Sequence, residues 1–138
     1  MGTLTPMGRT ILVTGAARHL GARMCRVLSH EMSVDRVIGV DVVPPRSDLG
    51  RAEFIRADIR NPVIGKIIGA AAVDTVVHMG VIATPLQAGG RATMKDINVI
   101  GTMQLLAACK KSDSVQLLIV KSTASVNGSS PRDPVMFT

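Results

Sequence analysis

The stretch Thr14-Gly15-Ala16-Ala17-Arg18-His19-Leu20-Gly21 follows directly on the apolar run Thr10-Ile11-Leu12-Val13. A strand that stops at a glycine and restarts as a helix leaves several backbone N–H groups aimed at one spot, at the positive end of the helix dipole. The chemistry that suits such a corner is a grip on phosphate or pyrophosphate. It is not a Walker A loop, because Ala22-Arg23 follow Gly21 where Lys and Ser or Thr would stand. It also departs from the three-glycine dinucleotide turn, since Arg18 holds the middle place between Gly15 and Gly21. Taken alone, the stretch reads equally well as a plain strand-to-helix turn.

Asp41 changes that balance. It ends the apolar run Arg36-Val37-Ile38-Gly39-Val40, about twenty residues past the glycine turn, where a carboxylate can accept both ribose hydroxyls of NAD and repel the 2′-phosphate of NADP. A glycine turn together with Asp41 points to a bound dinucleotide.

These residues need a frame to hold them. The periodicity predicts strands over Arg9 to Thr14, Arg36 to Asp41, Phe54 to Ala57, Thr75 to Met79 and Val115 to Val120. Between them, Leu20, Met24, Val27, Leu28 and Met32 recur at helical spacing and form the expected buried stripe of a first helix. Asn61-Pro62 opens a second, with Asn as cap and Pro at the first helical position. Thr93 and Asp96 fit a capping box for a long helix with Met94, Ile97, Gly101, Leu105 and Ala108 along one face. Alternating strands and helices with nearly continuous apolar strands imply an α/β fold: a doubly wound parallel sheet (Rossmann), ordered 3-2-1-4-5. The expected organisation is a flexible lead over 1–8 and one dinucleotide-binding domain over 9–138, truncated after the fifth strand.

Composition narrows the function classes. The chain has 138 residues, 46 % of them hydrophobic and 19 % charged, enough for one domain with a real core. Phe54 and Phe137 are its only aromatic residues, so the core must be aliphatic. The net charge is +6, yet the basic residues are scattered and no Tyr or Trp is present to stack bases, which argues against nucleic acid. No apolar run reaches the roughly 18 residues of a membrane span and no signal peptide is visible, so a cytoplasmic protein is expected. Cys25 and Cys109 read as small buried side chains, and His19, His30 and His78 share no metal-ligand spacing with them.

Six segments now stand in register: Thr14-Gly15 to Leu20-Gly21, Val40-Asp41, Ala57-Asp58-Ile59-Arg60, Val76-Val77-His78, Asn98-Val99-Ile100-Gly101-Thr102, and Ser122-Thr123-Ala124-Ser125-Val126-Asn127-Gly128. In that order the chain resembles the extended short-chain dehydrogenases/reductases, and within them the NAD-dependent epimerase/dehydratase branch that includes UDP-glucose 4-epimerases. The resemblance implies a site. The backbone around Gly15, Arg18, His19, Leu20 and Gly21 would hold the pyrophosphate, Asp41 and Val42 the adenosine ribose, and Asp58-Ile59 the adenine. Met79, Gly80 and Val81 would wall the nicotinamide ribose, with Asn98 supporting that wall, unless Asn98 merely faces solvent or caps its own helix. Thr123 would hydrogen-bond the reacting oxygen of a nucleotide-sugar substrate, or else simply close a strand edge. His78 reads as a satisfied strand-end histidine. A homodimer is implied as well.

The departures carry weight too. Arg18 either contacts the phosphates through its guanidinium or crowds them. Asn127 stands where the family usually has Tyr. The family's Tyr-x-x-x-Lys pair is missing, as the chain contains no tyrosine, so the expectation is an NAD-binding part that turns nothing over by itself. The alternative is a non-catalytic, dinucleotide-sensing regulator of the same fold.

Overall fold

β-branched runs that are apolar on both faces can only be satisfied inside a sheet covered on both sides. The computed structural model, which describes residues 8–82, 85–122 and 132, shows such a sheet. Strands β1 (Arg9–Thr14), β2 (Val34–Asp41), β3 (Glu53–Arg56), β4 (Thr75–His78) and β5 (Leu117–Val120) are all parallel, in the order β3-β2-β1-β4-β5. This is the expected doubly wound topology. Thr14 pairs in register with Val40 on one side and His78 on the other, so the carboxyl ends of the central strands finish level.

Side chains alternate across the sheet into two cores. Ile11, Val13, Val37 and Val77 pack on Ala22 and Cys25 of helix α1 (His19–Ser29). Leu12, Ile38, Val40 and Val76 pack on the other face against Ile64 and Ile68 of α2 (Val63–Ala71) and Leu105 of α5 (Thr102–Lys111). Each such aliphatic side chain, fully buried, contributes roughly 1.5–3 kcal/mol. Two shorter helices, α3 (Pro85–Ala88) and α4 (Arg91–Lys95), lead into a π-helical turn, Asp96–Gly101, which runs straight on into α5.

Three expectations about the helices need correcting. The buried face of α1 is Gly21, Ala22 and Cys25, with Met24 and Leu28 half-buried; Leu20 (53 % exposed), Val27 (50 %) and Met32 (99 %) lie outside it. The helix sits so close to the sheet that only small side chains fit beneath it. Thr93 and Asp96 form no capping box: α4 begins at Arg91 behind Gly90, no side chain caps it, and Thr93 lies inside it. Helix α2 starts one residue later than expected, at Val63, although Asn61 Oδ1 still accepts the Val63 amide at 2.9 Å. Of the expected stripe Met94, Ile97, Gly101, Leu105 and Ala108, only Gly101 and Leu105 are buried, the other three half-buried; Leu105 joins the core, Gly101 meets Ile59 and Ala108 meets Gly65 of α2.

Burial pushes the Cys25 thiol up to about 11 and raises that of the half-buried Cys109; neither forms a disulfide. No helix among the described residues is long and apolar enough to cross a membrane.

Candidate functional site

The glycine turn is built by close approach. Gly15 has φ +74, and a Cβ there would lie 2.8 Å from Gly80 Cα and 2.9 Å from Gly80 N. A Cβ on Gly21 would run into the Gly15 carbonyl, 2.6 Å from its carbon. Glycine is needed at both positions, at the first for its conformation as well as for space. Arg18, by contrast, sits at φ −90, ψ 160, an extended conformation open to any residue. The middle glycine is therefore dispensable to the backbone, and the Arg18 side chain lies half-buried along the same cleft as Asp41.

Following the amides shows what the turn offers. Ala16 N–H donates to Val40 O (3.2 Å), Ala17 N–H to Asp41 Oδ2 (3.0 Å) and Arg18 N–H to Gly15 O (3.1 Å); Ala22 N–H closes the first helical bond to Arg18 O (2.8 Å). The N–H groups of His19, Leu20 and Gly21, the first three of α1, have no acceptor within the helix. Among the described residues no side chain caps them, and no acidic residue stands in the first turn. The helix dipole is left uncompensated at this end, which favours an anion there.

Asp41 meets this corner directly. Its Oδ2 accepts Ala17 N–H and its Oδ1 accepts Val42 N–H at 2.7 Å, so the carboxylate ties the end of β2 to the turn. One strand further out, Asp58 is engaged differently. Arg60 donates to it through Nε (3.1 Å to each oxygen), Nη2 (2.7 Å to Oδ2) and its backbone N–H (2.9 Å to Oδ1). The guanidinium holds the Asp58 carboxyl below its ordinary range.

On the β4 side, Gly80 N–H donates to Thr14 Oγ1 (3.1 Å). Asn98, within the π turn, grips the wall by both ends of its amide: Ile82 N–H donates to Oδ1 and Nδ2 donates to Ile82 O, each at 2.8 Å. Asn98 thus neither faces solvent nor caps its own helix. His78 is wholly buried, its ring nitrogens 2.6 Å from Thr14 Oγ1 and 2.9 Å from Thr102 Oγ1. Burial, and secondarily the charge of Lys121, pushes its imidazole down to about 4. That is the satisfied strand-end histidine expected.

Of the residues singled out beforehand, Gly15, Arg18, Asp41, Val42, Asp58, Ile59 and Gly80 line one cleft at the carboxyl ends of the strands. His19 and Leu20 stand exposed beside it, and Gly21 is buried behind the turn. Met79 and Val81 flank Gly80 half-buried. Thr123, Asn127 and Gly128 lie outside the described residues. Sequence reasoning missed Arg60, Ile82 and Ile97 on the cleft wall and Thr102 behind it. Arg60 had left a signal, as an opposite charge two residues from Asp58, and Thr102 as the last residue of the segment Asn98 to Thr102. A larger groove between α2 and α5, lined by small residues such as Gly65, Gly69 and Ala108, gathers no comparable set of groups.

This geometry matches known proteins. The model of the NAD dependent epimerase/dehydratase family fits residues 11–137. The chain belongs to that family. An uncharacterized protein of Mycobacterium tuberculosis is 50 % identical over 134 residues, which cover 94 % of this chain and 36 % of that protein. A putative UDP-glucose 4-epimerase of Methanocaldococcus jannaschii is 26 % identical over 126 residues, 86 % of this chain and 39 % of that one. Among solved structures, the UDP-glucose-4-epimerase of Stenotrophomonas maltophila with bound NAD and formylated UDP-arabinopyranose superposes with a TM-score of 0.75 at 28 % identity, over 92 % of this chain and 40 % of its own. The chain therefore spans well under half the length of these family relatives.

Proposed function

We propose that this chain is the NAD-binding part of a nucleotide-sugar epimerase or dehydratase. One observation carries the reading: Asp41 reaches the glycine turn, 3.0 Å from the Ala17 amide. The residues fit the cofactor. The close-packed corner at Gly15 and Gly21 and the first amides of α1, which have no acceptor within the helix, form a pyrophosphate seat, and Asp41 borders the same cleft where a ribose would lie. When bound, NAD supplies a hydride acceptor for a sugar carbon. Asp41 orients the adenosine ribose, Ile59 and the aliphatic part of the Asp58–Arg60 pair receive the adenine, and Met79, Gly80 and Val81 exclude water beside the nicotinamide ribose. Thr123 hydrogen-bonds the reacting substrate oxygen. With no tyrosine in the chain there is no phenol to move the substrate proton, so this chain alone does not turn over UDP-glucose. A homodimer is part of the same reading.

Titration calorimetry with NAD and NADP tests it. NAD binds the wild type in preference to NADP, and Asp41→Asn weakens NAD by about tenfold or more, the loss of charge-assisted hydrogen bonds worth roughly 1.5–3 kcal/mol. Saturating NAD, at about 100 times its dissociation constant, raises stability by about 2.7 kcal/mol. No binding, or Asn as good as Asp, defeats the proposal. Arg18→Gly separates the two roles of that side chain: weaker NAD binding means a phosphate contact, tighter binding means crowding.

A second reading, a dinucleotide-sensing regulator without catalysis, is favoured by Arg18 in the place of the middle glycine. It predicts NAD binding with a change of partner or oligomeric state and no conversion of nucleotide sugar.

A further inference from the structure

Beyond the residues that would touch a dinucleotide, a buried chain of hydrogen bonds runs behind the cleft. Gly80 N–H donates to Thr14 Oγ1, and that hydroxyl lies 2.6 Å from His78 Nδ1. On the far side of the ring, Nε2 lies 2.9 Å from Thr102 Oγ1. The direction of the protons follows from Thr14, which is 1 % exposed. Its oxygen already accepts the Gly80 amide. Were His78 to carry its proton on Nδ1, that oxygen would accept twice, and the Thr14 proton would find no acceptor among its bonds. A buried unsatisfied donor costs roughly 1–3 kcal/mol. The arrangement that satisfies every group has Thr14 donating to Nδ1 and Nε2–H donating to Thr102, which is half-exposed and free to turn its own proton outward.

Thr102 is the first residue of α5, at the exit of the π turn. The same short stretch reaches the cleft at two more points. Asn98 grips Ile82, and Gly101 admits Ile59, whose Cδ1 and Cγ1 would be 2.7 and 2.8 Å from any Cβ there. Asn98, Gly101 and Thr102 turn inward, while Val99 and Ile100 stay exposed. A π turn interrupts the regular i→i+4 ladder, and such interruptions occur frequently at functional sites.

We infer that His78, held as the Nε2–H tautomer between Thr14 and Thr102, is a positioning residue that couples the π turn to the cleft wall at Gly80. It touches no ligand and acts through Thr14. Its consequence for cofactor affinity rests on the NAD reading above; the coupling itself does not.

The test compares wild type, Thr102→Val and Thr102→Ser by three measurements: nitrogen NMR of the His78 ring, amide exchange at Gly80, and NAD affinity. The wild-type ring shows an unprotonated Nδ1 and a protonated Nε2 at neutral pH. Thr102→Val removes the acceptor for Nε2–H without changing shape; Gly80 then exchanges about two- to tenfold faster and NAD binds more weakly by a similar factor, the range one hydrogen bond supports. Thr102→Ser restores both. A proton on Nδ1 in the wild type overturns the inference, as does Val behaving like Thr, or Ser failing to rescue. Should Val fail to fold, the wild-type ring spectrum and the Ser variant still decide. If the wild type binds no NAD, the functional reading falls and Gly80 exchange alone judges the coupling.

Discussion

On the β1–β4 side of the cleft the polar side chains are buried and neutral: Thr14 and His78 hold one another, and the half-buried Gly80 amide donates to Thr14. On the β2–β3 side they are charged and half-exposed: Asp41 on two backbone amides, and Asp58 paired with Arg60 at 2.7 Å, their side chains 32 % and 38 % exposed. The first side holds shape, because a broken buried bond strands its partner in a low dielectric. The second holds charge, because water and salt soften any single loss there. A dinucleotide asks for both: a fixed seat for its phosphates and a polar rim for its sugar and base.

Several measurements would break or sharpen that contrast. The largest effect is expected from Gly15→Ala. It forces a side chain into a left-handed backbone and against Gly80, so chemical denaturation should show a loss of roughly 2–5 kcal/mol and NAD binding should vanish. A near-neutral result would mean the neutral side is not rigid.

Next comes acid. His78 titrates at about 4 when folded against an ordinary 6.5. Above 6.5 neither state holds the extra proton and stability is intact. As pH falls from 6.5 towards 4 the unfolded chain takes up a proton that the folded chain refuses, and stability drops by about 3 kcal/mol. Denaturation midpoints across that window measure the slope, and His78→Gln should flatten it. Asp58, whose carboxyl is held low by Arg60, contributes stability above its ordinary range and loses it only at more acid pH, so the two sides of the cleft fail in separate windows.

Thr14→Val comes third. It leaves the Gly80 amide and His78 Nδ1 without their shared partner, for about 1–3 kcal/mol that added salt should not change. Smallest is Arg60→Ala, expected below about 1 kcal/mol and shrinking further in salt, as for other solvent-reached pairs. An insensitive Thr14→Val, or a costly and salt-independent Arg60→Ala, would erase the distinction between the sides.

Much of this was legible from local pattern. The apolar runs marked all five strands, differing from the observed spans by at most two residues at either end. The glycine turn and Asp41 stand where their spacing put them, since a strand end and the next strand's end are neighbours in any right-handed parallel crossover. Helix α1 was harder. Its apolar residues suggested one face, but Gly21, Ala22 and Cys25 are the buried ones: the Gly15 carbonyl leaves no room for a side chain at Gly21, and Cys25 packs against Gly39 of β2. The Thr93–Asp96 spacing mimicked a capping box, although a few residues matching a motif do not decide where a helix starts. Thr102 stood in the segment Asn98 to Thr102, but nothing local paired it with His78, 24 residues away on another element.

By its periodicity and its glycines the amino-acid sequence alone determined the sheet, its winding and the end at which a ligand would lie, because these depend on which residues must leave water and which backbone must bend. The tertiary structure alone decided that Asn98 clamps Ile82, that Asp58 is already held by Arg60, and that the His78 ring lies between Thr14 and Thr102. Those are bonds between side chains and distant groups, whose directions exist only once the chain has closed around them.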